Sequence, residues 1–261
     1  MIISTRGCAR ASHKTDQAMT IETYVITMDT STDRYRAFQE HNPHLAHEAF
    51  IGINGHEFDK EESIRRGFIT PACAASGMVS PGQLGCAISH WTLWWKAVYE
   101  EKSLLILEDD AATHPELQRW IDQADICREA DMVLFGVNTD SVLEAISPEG
   151  VHQVSIFGER HPSYQTIGET LARTSLADVR PWRLVKSFGL CCYLVTPAGA
   201  AKLVEGVLPL RLEGVPVPLV ADSVPGIGGD RRLLALFDSV GAYVTVPFLA
   251  WTPNTDSTTR D

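Results

Sequence analysis

No apolar stretch in this sequence approaches the roughly 18 to 20 residues needed to cross a bilayer, so a membrane-spanning helix is not expected. Positive charge is scarce: 22 Lys and Arg stand against 33 Asp and Glu, a formal net charge of −11. Nucleic-acid binding needs a concentrated positive field and is therefore disfavoured. No polybasic amphipathic segment suggests docking on an anionic membrane. The six cysteines (Cys8, Cys73, Cys86, Cys127, Cys191 and Cys192) show no Cys-x-x-Cys spacing. Reduced, partly buried thiols in a cytoplasmic protein are the simplest account of them. Arg6, Arg10 and Lys14 are followed by no continuous apolar core, so the start does not read as a secretory signal. There is no internal repeat.

What remains is the composition of a globular domain, with 44% hydrophobic and 21% charged residues over 261 positions. Strand-like and helix-like stretches alternate, which predicts an α/β fold with a mainly parallel sheet. Ile21 to Met28 reads as the first strand, followed by a polar turn and a helix from about Arg34 to Glu40. Asn42-Pro43 marks the end of that helix. His41, His44 and His47 recur every third residue but share no helical face across Pro43, so they read as loop histidines. Ser80 and Pro81 predict the start of a long helix reaching Glu100. Leu84, Ile88, Trp91, Trp95 and Val98 form its apolar stripe. Gly85 within it costs about 1 kcal/mol relative to alanine, which predicts that something packs against the backbone there. Segments 1–20 and 252–261 read as tails around one domain spanning 21–251. Residues 138–188 read as irregular, suited to a lid or acceptor surface.

The stretch that organises the chain is Ser103 to Ala111, five mostly apolar residues running into Glu108, Asp109 and Asp110. The apolar part predicts a strand buried on both faces. Three acids at its end need partners, because an unpaired charge in a dry interior is very costly. Ligands gather at the carboxyl ends of strands in open α/β sheets, and acids there suit a hard divalent cation. The same acids would equally serve to cap a following helix. Far along the chain, Gly226-Ile227-Gly228-Gly229-Asp230 places another carboxylate on a glycine loop, where it reads either as a helix cap or as a site residue. Asp222 lies in the preceding apolar segment.

Two linked motifs then carry a resemblance. Pro81-Gly82-Gln83-Leu84-Gly85-Cys86-Ala87-Ile88-Ser89-His90 is followed by Leu107-Glu108-Asp109-Asp110-Ala111. With Ile26 to Arg34, Asn54-Gly55 and Tyr193 to Ala200 in the same order, the chain resembles glycosyltransferase family 25. That family includes lipooligosaccharide and collagen galactosyltransferases. The resemblance covers roughly Ile21 to Leu208 and departs at Thr30 and Asn54, where the family usually has arginine and aspartate.

The resemblance implies a GT-A-type fold, a nucleotide-sugar donor such as UDP-galactose or UDP-glucose, Mn²⁺ or Mg²⁺, and inversion at the anomeric carbon. It implies Glu108 and Asp110 as metal ligands, and Asp109 as a contact to donor ribose or sugar. Thr27, Arg34, Ser89 and His90 would border the donor. Inverting transfer needs a base for the acceptor hydroxyl, and placement nominates Asp230, with Asp222 second. The acceptor would be a glycan, a small molecule or a protein. A sugar-nucleotide hydrolase and a catalytically silent sugar-nucleotide-binding domain are the competing readings. Retention of three costly acids speaks against the silent one.

Overall fold

The computed structural model describes residues 21–140, 142–158, 161–217 and 221–254. The N-terminal segment 1–20, Pro218 and residues 255–261 lie outside them. A nine-stranded sheet forms the centre. Its strands are β1 (Ile21–Thr27), β2 (Glu48–Ile51), β3 (Ser103–Glu108), β4 (Met132–Gly136), β5 (Val142–Ile146), β6 (His152–Ile156), β7 (Arg180–Ser187), β8 (Cys192–Val195) and β9 (Ala242–Val246). They lie in the order β2-β1-β3-β8-β4-β9-β7-β5-β6. Six of the nine point the same way; β6, β7 and β8 run against them. The α/β architecture is as expected and the sheet is mixed, consistent with a GT-A-like fold.

Helices flank this sheet: α1 (Asp33–His41), α2 (Pro81–Glu100), α3 (Leu117–Gln123), α4 (Tyr164–Arg173), α5 (Pro197–Val207) and the short α6 (Gly229–Leu233), with further short helices between them. Leu104 to Leu107 of β3 are all fully buried. Their side chains alternate: Leu104 and Ile106 enter one core with Trp94 of α2 and Leu203 of α5. Leu105 and Leu107 enter another with Phe38 of α1 and Ile121 of α3. A strand covered on both faces has no polar side to show, which is why it reads as a continuous apolar run.

The helix starts follow their local chemistry. Thr32 caps α1, its side chain accepting from the Tyr35 amide. Ser80 and Gln83 form a reciprocal capping box at α2, with Pro81 in the first turn. Gly85 has the neighbour that the sequence predicted: a Cβ there would lie 2.3 Å from the Ile53 carbonyl oxygen, and one on Gly55 would lie 1.9 Å from that of Pro81. The two glycines let the 53–55 loop rest directly on the helix backbone.

Two expectations are corrected. Residues 138–188 are not irregular: within the described residues they supply β5, β6, α4 and β7, the antiparallel flank of the sheet. β5 and β6 have five residues each and carry Glu144, His152 and Gln153, and β7 mixes Arg180, Arg183 and Lys186 with apolar residues, so none shows the apolar run that betrays β3. Nor does a tail begin at Thr252, since Thr252 and Pro253 are buried and Asn254 borders the site. No helix among the described residues is long and apolar enough to cross a membrane.

Candidate active site

The site forms where parallel strands end together. Ile26 of β1 is in register with Glu108 of β3, so the turn after β1 and the acids after β3 face the same space. Antiparallel β8 begins at that edge, with Cys192 opposite Leu107, and brings Gly189 and Leu190 beside it. A cavity of about 370 Å³ is bordered by Thr27, Arg34, Asn54, Ser89 and the three acids, among others. A second, of about 820 Å³, is bordered by Asn138, Asp140, Gly189, Asp230 and Arg231 among others. The two meet at Cys86, His90, Glu108 and Asn254, which line both.

The acids have a partner that the sequence does not name. Arg34, two residues into α1, places Nε 2.5 Å from Asp109 Oδ1 and Nη2 3.1 Å from Asp110 Oδ2. Asp109 and Asp110 are buried, and Oδ1 of Asp110 is buried without a hydrogen-bond partner. Burial, then the Glu108 charge, push the Asp110 carboxyl up to about 7, against the pull of Arg34. For Glu108, burial opposes ionisation, but contact with His90 and the charges of His90 and Arg34 hold the carboxyl below its ordinary value. When all are ionised, three carboxylates face one guanidinium, an excess of two negative charges. With one unsatisfied buried oxygen, that excess fits a hard divalent cation bound through oxygen.

His90 is 2% exposed. Its Nδ1 lies 2.8 Å from the Tyr193 hydroxyl, which also accepts the Trp94 indole N–H at 2.9 Å. The ring is thereby fixed with Nε2 directed to Glu108, 3.4 Å from Oε1. His90 is thus a core histidine that also lines both cavities. Thr27 is buried at the wall of the smaller cavity, its hydroxyl donating to the Asp29 carbonyl at 3.3 Å. Ser89 borders the same cavity, but its hydroxyl is already committed. It accepts from the Ile53 amide at 2.8 Å and donates to the Gly85 carbonyl at 2.7 Å, pinning the 53–55 loop.

Asp230 is the second residue of α6, after Gly228 at the N-cap, and so is not itself the cap. Its Oδ2 accepts from the Gly189 amide at 3.3 Å and Oδ1 from the Arg231 amide at 2.7 Å. Burial raises its pKa, and the two amides only partly counter this. The structure therefore brings Asp230 into the larger cavity with Glu108 and His90. Asp222 is not brought there: it is exposed on the strand Ala221–Pro225 and borders neither cavity.

Several site residues escape the sequence reading. Cys86 lies one helical turn before His90, and that spacing was available as a signal. Tyr193 sits in a short apolar strand where nothing marks its hydroxyl. Asn254, whose Nδ2 lies 3.0 Å from His161 Nε2, carries no local signature.

Comparison with known proteins adds the following. The family model described as glycosyltransferase family 25 (LPS biosynthesis protein) matches residues 20–219. Asp222, Asp230 and Asn254 lie beyond the matched segment. No curated protein matches the chain. Among solved structures, the crystal structure of A197 from STIV is similar, with 9% identity and a TM-score of 0.41. That likeness covers 87% of this chain and 81% of that one.

Proposed function

The chain belongs to glycosyltransferase family 25 and is a glycosyltransferase, and from that premise we propose a metal-dependent, inverting transfer of a hexose from a UDP-sugar to an acceptor hydroxyl. Galactose and glucose are the sugars we assign, and a glycan, small molecule or protein provides the hydroxyl. The observation that carries the reading is the junction of two cavities at Glu108 and His90, one holding the acidic run and the other Asp230. A bimolecular transfer needs two binding spaces that share one reacting point.

On this reading the smaller cavity takes the donor. Arg34 and Thr27 border the nucleotide, and Asp109 contacts ribose or sugar. Glu108 and Asp110 would hold Mn²⁺ or Mg²⁺, which would supply positive charge to offset that of the departing nucleoside diphosphate. Asp230 takes the proton of the acceptor hydroxyl in the larger cavity. The hydroxyl oxygen then bonds to the anomeric carbon as the bond to the diphosphate breaks, which inverts that centre. Its raised pKa makes Asp230 a better proton acceptor than a solvated aspartate, provided it is ionised.

The test is a panel of sugar nucleotides, with and without Mn²⁺, scored for nucleoside-diphosphate release. Release from a UDP-hexose that requires metal and is lost in Asp110→Ala is expected. Release without metal that survives Asp110→Ala would remove the acidic run from the chemistry. The anomeric configuration of the product, read by proton NMR, tests inversion.

A further inference from the structure

Where the two cavities meet, α2 and the end of β3 bring three unlike donor atoms together. The Cys86 Sγ, a His90 ring nitrogen and a Glu108 carboxylate oxygen all lie within 4.8 Å of one another. Cys86 and His90 are four residues apart and so share one face of α2. The Nε2 of His90 is buried, makes no hydrogen bond and points at this cluster. A buried nitrogen held 3.4 Å from a carboxylate oxygen without a hydrogen bond is poorly satisfied, and a cation shared with that carboxylate would satisfy both.

In the tautomer whose Nδ1–H donates to Tyr193, Nε2 presents its lone pair to the cluster. The Tyr193 oxygen has two lone pairs: one accepts the Trp94 indole N–H, and the other can accept an Nδ1–H from His90. Imidazoles bound to metals usually donate their second N–H in this way. A thiolate, an imidazole and a carboxylate make a mixed-softness set suited to Zn²⁺ and its neighbours, not to Mn²⁺ or Mg²⁺. Cys86, His90 and Glu108 also line both cavities, which leaves a fourth position accessible from the cleft.

We propose that Cys86, His90 and Glu108 form a binding site for a thiophilic divalent cation of the Zn²⁺ class, distinct from the oxygen-ligand set of Glu108 and Asp110. Binding replaces the Cys86 S–H bond with an S–metal bond and releases the proton to solvent. Without the ion, burial and the surrounding carboxylates keep this thiol protonated and hence unreactive. Because Glu108 belongs to both sets, an ion here withdraws it from the donor side and inhibits transfer. That consequence rests on the proposed transfer reaction, whereas the binding does not.

The experiment titrates the chelator-treated full chain with Co²⁺ and follows its absorbance. One equivalent is expected to produce visible bands of tetrahedral cobalt and a near-ultraviolet thiolate-to-cobalt charge-transfer band, both displaced by Zn²⁺. Cys86→Ser should abolish the charge-transfer band and weaken binding by on the order of 100-fold or more, since loss of even outer partners costs 10- to 100-fold. Glu108→Gln should weaken binding, and Asp110→Asn should retain the band. His90 is packed in the core, so Cys86→Ser, a one-atom change checked by circular dichroism, is the deciding variant. No charge-transfer band in the native chain, or one that survives Cys86→Ser, overturns the proposal. If no sugar nucleotide is turned over and the band still depends on Cys86, the site stands and only the transfer reading fails.

Discussion

Arg34 is the residue on which the acidic run depends. It neutralises one oxygen on each of Asp109 and Asp110, and its side chain is only 25% exposed. Removing one member of a buried ion pair strands the other, typically at 3–5 kcal/mol; with partial exposure, Arg34→Gln should cost about 3 kcal/mol. Urea denaturation would measure the loss, and a second change, Asp110→Asn, should recover part of it. Asp230 supplies a pH prediction. As the proposed base, its carboxyl must be ionised to accept a proton, and its pKa is raised by burial. Transfer should therefore fall with acid through a limb lying above the ordinary carboxylate range. Asp230→Asn should lower the rate by about 10²- to 10⁴-fold. Stability carries the opposite sign, because the folded state holds this proton more tightly than the unfolded state. It should decline as pH rises from the ordinary aspartate value to the raised one, and the Asn variant should lose that slope.

Among the elements, α2 decides most. Its first turns carry the capping box, the glycine contact with the 53–55 loop, the Ser89 link to Ile53 and the Cys86–His90 face. Gly85→Ala sets two effects against each other. Helix propensity alone would gain about 1 kcal/mol, but a Cβ 2.3 Å from the Ile53 oxygen must displace backbone, and overpacking of this kind costs about 1–3 kcal/mol. The net change should be destabilising, with a larger loss in donor affinity than in folding, measured by calorimetry and urea denaturation. An unchanged UDP affinity would mean that the loop does not shape the donor cavity. Much of α2 was legible in advance, since a cap, a proline and an apolar stripe are written within one segment. The antiparallel flank was not. Short strands such as Val142–Ile146 gain their identity from the neighbours they pair with, and those lie tens of residues away.

For the whole molecule, the two cavities share Glu108 and His90 but draw on different parts of the chain. Apart from Asn254, the cavity proposed for the donor is built from the first half, whereas Asp230 arrives from beyond the family match. Substitutions on the two sides should therefore separate. Asp230→Asn should leave UDP binding in the presence of Mn²⁺ within about threefold of native, while Glu108→Gln should weaken it tenfold or more, a loss of at least about 1.4 kcal/mol. Isothermal titration of both variants tests this, and equal losses would mean that the cavities are not independent.

Sequence by itself determined the α/β class, the buried strand ending in three carboxylates, the start of α2 and the family. Each rests on periodicity, capping or a motif confined to a short segment, where the chain's own covalent geometry does the positioning. It also required that the three acids have partners, but could not name them. Only the tertiary structure decided that Arg34 holds Asp109 and Asp110, that Ser89 pins a loop, and that Asp230 enters the cleft while Asp222 stays at the surface. Burial and pairing of a charge depend on which distant backbone segments converge at one sheet edge. For the acids after β3, that convergence comes from the parallel register of β1 with β3 and the antiparallel insertion of β8 beside them.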